Sequence, residues 1–303
     1  MDHRCLWDGV DHRRSVSGVA MSFTPQIPWP EEIEHFSASS AKMAVRCPEQ
    51  WRQRYILGKK APPSLAMLGG RADHGAIEMS MRQKITSYED LPVAEVKKAF
   101  VEILENAVEK SGGVNELESK TDNVVREYDD LRRSGQLSVA TYHTIASPFL
   151  QPVAVEEKFE IQVPGLPVKV IGYIDLIAND VTFGNEVDDA SNRMIDRKRR
   201  ARSTRNIEPE WKMQAEIYQL AEPIPFDWHV TVDKKEPEVL WGEGMTQEVP
   251  PKARSERLLN QIVSQIGFYY TTYGPDQGWP VTGKLHPWSC GYCGYRDDCW
   301  GWK

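Results

Sequence analysis

The sequence predicts an α/β fold: a mostly helical first half gives way at Val153 to three consecutive strand-like runs, and helices interleaved with strands return at Glu208. With 303 residues, 40% hydrophobic and 27% charged, the chain can bury one large core or two modest ones. Thirty-seven Lys and Arg against 44 Asp and Glu leave a net charge of −7, which excludes a polycation that holds phosphate by overall charge. Any nucleic-acid site must therefore be local. No apolar run reaches membrane-spanning length, and the opening MDHRCLWDGVDHRR lacks the apolar stretch of a signal peptide, so a cytoplasmic protein with no membrane association is expected.

Residues 1–30 carry little periodicity and end in TPQIPWP, a pattern expected of a flexible lead in which Met21 is an alternative start; one domain is expected over 31–303. SASSAKMAVRCPEQWRQRYILG predicts a helix capped by Ser39 or Ser40, with Met43, Cys47, Trp51 and Tyr55 near one face and a break or second start at Pro48. After Leu68-Gly69-Gly70, ADHGAIEMSMRQ predicts a helix on which His74 and Glu78 share a face. Residues 76–150 are expected as a helical insertion of separate helices, PVAEVKKAFVEILENAVEK, SKTDNVVREYDDLRR and SVATYHTIA, divided by Ser-Gly-Gly and Ser-Gly. VAVEEKFEIQV, VKVIGYIDLIAND and RMIDRKR then predict a β-meander. EPEWKMQAEIYQLA is helical, FDWHVTVD and EVLWG are strand-like, and a long helix follows from Pro250. No repeat and no phosphate-cradling Gly-x-x-x-x-Gly-Lys loop occurs, so no ATPase motor is expected.

Three groups of residues carry chemistry. Asp175 at the end of GYID and Asp196 with Lys198 on the next strand can converge, and paired carboxylates offer the hard oxygen ligands of Mg²⁺ or Mn²⁺. Cys290, Cys293 and Cys299 form a compact loop to which Cys47 can add a fourth thiolate, while Cys5 lies apart. Four thiolates suit either Zn²⁺ or a 4Fe-4S cluster on spacing alone. Finally, Arg193, Arg197, Lys198, Arg199, Arg200, Arg202 and Arg205 place seven cations in thirteen residues around the acidic strand, with Trp211 and Tyr218 nearby to stack on bases. Trp51, Arg52 and Arg54 are further candidates for DNA contact beside Cys47, although Trp51 suits a core; Glu186, Asp188 and Asp189 read as a solvated loop.

The ordered set His74, Gly172-Tyr-Ile-Asp175, Asp196-Arg-Lys198 and Gln214-Ala-Glu-Ile-Tyr218 resembles the PD-(D/E)XK nucleases of the RecB-like iron-sulfur branch, which includes the CRISPR-associated Cas-four-type exonucleases and the AddB nuclease domain. The resemblance spans roughly Ser37 to Trp300. It implies a restriction-endonuclease-like core with a mixed central sheet flanked by helices, and a metal held by His74, Asp175, Asp196 and the backbone carbonyl of Arg197. It also implies a catalytic Lys198, with Gln214 and Tyr218 supporting the site or contacting the strand. The Cys-x₂-Cys-x₅-Cys loop with one upstream Cys implies a 4Fe-4S cluster on Cys47, Cys290, Cys293 and Cys299 that ties both ends of the domain together. The implied reaction is hydrolysis of single-stranded or frayed DNA ends, in the company of recombination, repair or CRISPR-adaptation proteins. One departure is visible, since Arg199 and Arg200 stand where the family usually follows its lysine with a small residue. A non-catalytic DNA-binding component that keeps the fold is the first alternative, and a Zn²⁺-stabilised interaction module the second.

Overall fold

The computed structural model describes residues 27–115, 123–180, 192–282 and 290–302. Cys5, Met21 and the acidic loop with Glu186, Asp188 and Asp189 lie outside the described residues. Residues 27–30, expected in the flexible lead, instead pack on the core: Trp29 meets Phe36 and Trp51 edge-on and donates its indole N–H to Ile33 O at 2.9 Å.

After the short strand β1 (His35–Phe36), helix α1 (Ala38–Arg46) begins one turn earlier than expected, because Ser37 is the cap and accepts from the Ser40 amide at 3.2 Å. Its buried face is Ala38, Ser40, Ala41 and Ala44, small enough for the Trp51 indole to reach Ser40 Oγ at 2.8 Å. Cys47 is extended and ends α1, and Pro48 opens α2 (Pro48–Trp51), so the break expected at Pro48 is present. A π-helical turn, Arg52–Ile56, continues it. Arg52 and Trp51 are buried here: Arg52 pairs with Glu49 at 2.7 Å and donates to Pro275 O, and Trp51 stacks on Trp279. Glu49 also accepts the Trp279 amide at 2.7 Å, so the early helices and the segment after residue 274 are fastened by one buried network.

Three long helices follow, α3 (Leu65–Ser87), α4 (Val93–Ser111) and α5 (Val124–Ile145). Gly69 and Gly70 lie inside α3 rather than before it, and Gly135 lies inside α5 rather than dividing two helices. Gly135 is there for space: a Cβ at that position would come within 1.9 Å of the Phe100 ring. Close helix contact outweighs the roughly 1 kcal/mol that an interior glycine costs. These helices bury Leu68, Ala76, Phe100, Leu104, Val139 and Tyr142 against Val155, Leu176, Ala178 and Ile195 of the sheet, so the segment expected as an insertion is one layer of the core.

The sheet contains β1, β2 (Leu150–Ile161), β3 (Lys169–Asp180), β4 (Asn192–Arg200), β5 (Phe226–Val232), β6 (Glu238–Leu240) and β7 (Thr246–Gln247). It is mixed, as expected. The β2-β3-β4 meander is antiparallel, whereas β4 and β5 run parallel, joined through α6 (Pro209–Tyr218). All seven residues of β5 are buried. The long α7 (Lys252–Tyr273) packs Leu259, Ile262, Val263 and Ile266 into the cluster around Phe36, Trp51 and Trp279.

One irregularity positions the site. β3 pairs with β4 only from Leu176↔Ile195 to Asn179↔Asn192, while the far end of β3 takes β1 as its neighbour at Lys169 and Val170. The sheet forks just past Leu176 and Ile195. Asp175 and Asp196 are the first residues in the fork.

Candidate active site

Asp175 and Asp196 follow directly from the antiparallel register, so they face the same side across the opening of the fork. Gly172, three positions before Asp175, is required by packing: the Phe159 ring of β2 lies across it, and a Cβ would sit 2.4 Å from that ring. His74 reaches the fork from α3. Its Nδ1 lies 3.0 Å from Asp175 Oδ2, and its Nε2 lies 2.8 Å from the Arg197 carbonyl oxygen. His74 thus contacts both Asp175 and the Arg197 carbonyl, all three expected as ligands, and Asp196 completes the set. One ligand atom from each of His74, Asp175 and Asp196 lies within 4.8 Å of the other two.

The electrostatics favour a cation here. Burial, against the pull of Lys198 and with the added charge of Asp175, holds the Asp196 carboxyl above its ordinary range. Burial alone would raise Asp175 too, but the hydrogen bond and charge of His74 outweigh it and hold that carboxyl low. His74 is raised correspondingly, since Asp175 overcomes the burial that would lower it. Oδ2 of both Asp175 and Asp196 is out of water, the first beside His74 Nδ1 and the second beside Lys198 Nζ. Buried hard oxygens beside an imidazole fit a divalent metal such as Mg²⁺ or Mn²⁺.

Lys198 Nζ lies 2.5 Å from Asp196 Oδ2 and 5.7 Å from the centre of the Trp211 ring. On α6, Gln214 is buried and hydrogen-bonded to Tyr218, whose hydroxyl is pushed up by burial and by Asp175 and Asp196. The arginines divide. Arg197 is buried, with Nη1 2.9 Å from Asp73 Oδ2 and its guanidinium 3.9 Å from the Tyr142 ring centre. That tether joins the residue before His74 to the strand position whose carbonyl His74 contacts. Arg199 pairs with Asp233 at 2.7 Å and reaches Ser134, Arg193 pairs with Asp227 at 3.3 Å, and Arg205 donates to the carbonyls of Trp241 and Glu243. Arg200 covers Trp211 at 4.0 Å and pairs with Glu208 at 2.9 Å. Arg202 is exposed. The expected seven-cation surface is therefore mostly drawn into internal pairs, and Trp211 is covered on one side by Arg200.

A cavity of about 560 Å³ opens beside His74 and Lys198, walled by α3, α5 and the end of β4, and including Arg199, Arg200, Glu127 and Ser134. Two residues at the site carry no motif. Glu156 of β2 stands opposite Asp175, between the pairs Val155↔Leu176 and Glu157↔Ile174, and adopts a positive φ of 53°. Burial, Asp175 and Glu78 raise its carboxyl. Its only sequence signal is an acid at the strand position that faces Asp175 once the register is known. Lys42 of α1 is the second.

The four thiols of Cys47, Cys290, Cys293 and Cys299 line one small cavity with Glu49, Gln53 and Tyr295. Burial pushes up Cys290, Cys293 and Cys299, and each also feels Cys47.

The family model described as the PD-(D/E)XK nuclease superfamily matches residues 35–300. The chain belongs to that superfamily. No curated protein matches it. Among solved structures, one described as "Crystal structure of SSO0001" is similar at 16% identity and a TM-score of 0.37, covering 91% of this chain and 90% of the other. The fork, the Asp-x-Lys strand and the flanking helices of this PD-(D/E)XK protein form the family's α/β core, and among the described residues no helix is long and apolar enough to cross a membrane.

Proposed function

We propose that this PD-(D/E)XK protein is a metal-dependent DNA exonuclease of the RecB-like iron-sulfur type. The convergence of His74, Asp175 and Asp196 within 4.8 Å, with Lys198 on Asp196, carries the reading. A divalent cation held by these residues and the Arg197 carbonyl would supply Lewis-acid chemistry, lowering the pKa of water and offsetting phosphate charge. Lys198 then orients the attacking water and stabilises charge on the phosphoryl oxygens. In this reading Gln214 and Tyr218 support the carboxylates from α6, and Arg199 and Arg200, which line the cavity, contact the strand's phosphates together with the exposed Arg202 and with Arg193 and Arg205. The cavity of about 560 Å³ has the size of a small-ligand cleft, which suits an unpaired end better than a duplex.

Cys47, Cys290, Cys293 and Cys299 hold a 4Fe-4S cluster in this reading. The four residues line one small cavity, and the Cys-x₂-Cys-x₅-Cys loop with one upstream Cys, the pattern of the iron-sulfur branch, is what favours the cluster over Zn²⁺.

The test is an assay on end-labelled single-stranded DNA with Mg²⁺ or Mn²⁺, comparing anaerobically purified wild type with Lys198→Ala. Metal-dependent cutting that drops at least about 100-fold in the variant supports the proposal. A wild type that carries its cluster and binds DNA without cutting it supports the non-catalytic alternative.

A further inference from the structure

Lys42 lies on the second turn of α1, a helix that packs on α6. Its Nζ donates to Gln214 Oε1 at 3.0 Å. Lys198, Asp196, Glu210 and Arg46 are the charges around it, and burial together with Lys198 lowers its pKa. Two lysines from unrelated elements, Lys42 of α1 and Lys198 of β4, thus share the neighbourhood of Asp196. One alternative role is to clamp α1 to α6, but Arg46, one turn later, already does so with Glu210 at 2.9 Å. Gln214 takes one of the three ammonium donors of Lys42 and fixes its direction.

We propose that Lys42, aimed by Gln214 from the α6 side of the site, binds a backbone phosphate of the substrate strand adjacent to the scissile one. This rests on the nuclease reading of the same site. Gln214 takes only one of the Lys42 ammonium donors, and a phosphodiester is the anion that the remaining donors would meet at such a site. The same helix delivers both Lys42 and Cys47. Cys47 caps α1 through its amide, bonded to Met43 O at 2.9 Å, and the helical rise from Lys42 to Cys47 is about 7.5 Å. A cluster on Cys47 would thus also fix the height of Lys42 above the fork.

The experiment measures binding of a fluorescein-labelled single-stranded oligonucleotide by anisotropy, with Ca²⁺ in place of the catalytic metal, over a salt series. Wild type, Lys42→Met, which keeps the length and apolar stem, and Lys42→Arg, which keeps the charge, are compared. Lys42→Met is expected to bind about tenfold more weakly. The slope of log K against log salt is expected to shrink by about 0.7, the signature of one lost phosphate contact on a single strand, and to recover in Lys42→Arg. A packing role would weaken binding without changing that slope. Unchanged affinity and slope in Lys42→Met overturn the proposal, as does a weakened affinity with an unchanged slope. If the wild type binds but never cuts with Mg²⁺ or Mn²⁺, the nuclease reading fails while the slope still decides the role of Lys42.

Discussion

The pairing of Asp73 with Arg197 can be tested as the device that holds His74 in the fork. The side chains are 2% and 6% exposed, joined at 2.9 Å, and the guanidinium donates a second bond to the Asp73 carbonyl at 3.1 Å. Asp73→Ala leaves that guanidinium buried with its carboxylate gone, a loss of about 3–5 kcal/mol. Unfolding entropy of roughly 2.1 cal/mol/K per residue gives about 0.6 kcal/mol/K for a chain of this length, so the thermal midpoint should fall by about 5–8 °C. Replacing both partners, Asp73→Leu with Arg197→Met, removes the charges together and should cost less than half as much, because a buried pair and an apolar pair of similar shape are close in stability. Circular dichroism melts of the three proteins provide the measurement. In the same proteins, Asp73→Ala should lower Mn²⁺ affinity about tenfold, because the residue beside His74 has lost its tether. A single variant that melts within 1 °C of wild type, or a double variant worse than the single, would refute the account.

Protonated His74 and Asp196 compete with a metal, and both are held above their usual ranges, so Mn²⁺ affinity should fall with pH, first as His74 takes its proton and further through about pH 6 as Asp196 does. Calorimetric titrations in buffers of different ionisation enthalpy should show proton release on binding in that range. Glu156→Gly relieves both the positive φ and the charge facing Asp175; the metal-free protein should gain about 1 kcal/mol in a denaturant melt. The same substitution should weaken Mn²⁺ binding, measured by titration, because a nearby carboxylate is lost. Cys293→Ser should lower bound iron and visible absorbance together, and a wild type that contains stoichiometric zinc instead would reject the cluster assignment.

Period and spacing made much of this molecule legible. Strand alternation around GYID and IDRK placed Asp175, Asp196 and Lys198 on one face, and α6 presents Gln214 beside them. Sequence reasoning failed where a contact between distant segments reverses a local rule. Gly135 reads as a helix break, yet Phe100 occupies the space that a side chain would need. The partners of Arg197, Arg193 and Arg199, which are Asp73, Asp227 and Asp233, are scattered along the chain and carry no pattern. Lys42 and Glu156 were invisible for the same reason, since a lone lysine on a helix and a lone glutamate on a strand are ordinarily solvated.

The fork itself explains why charge can collect here without unfolding the sheet. Asp175 and Asp196 approach one another where β3 and β4 part, and Glu156 joins Asp175 from β2 at the one position that the β2–β3 pairing skips between Val155 and Glu157. Like charges on facing strand positions are destabilising, and a positive φ in a long strand adds to that cost. The stabilising groups lie on either side: the apolar helix layer with Asp73–Arg197 behind the fork, and the Glu49–Arg52–Trp279 network at the cysteine end. A site arranged in this way is least stable when empty of cations. Metal binding should therefore raise the thermal midpoint of wild type more than that of Glu156→Gly, and equal shifts would show that the strain at Glu156 has no connection with the metal.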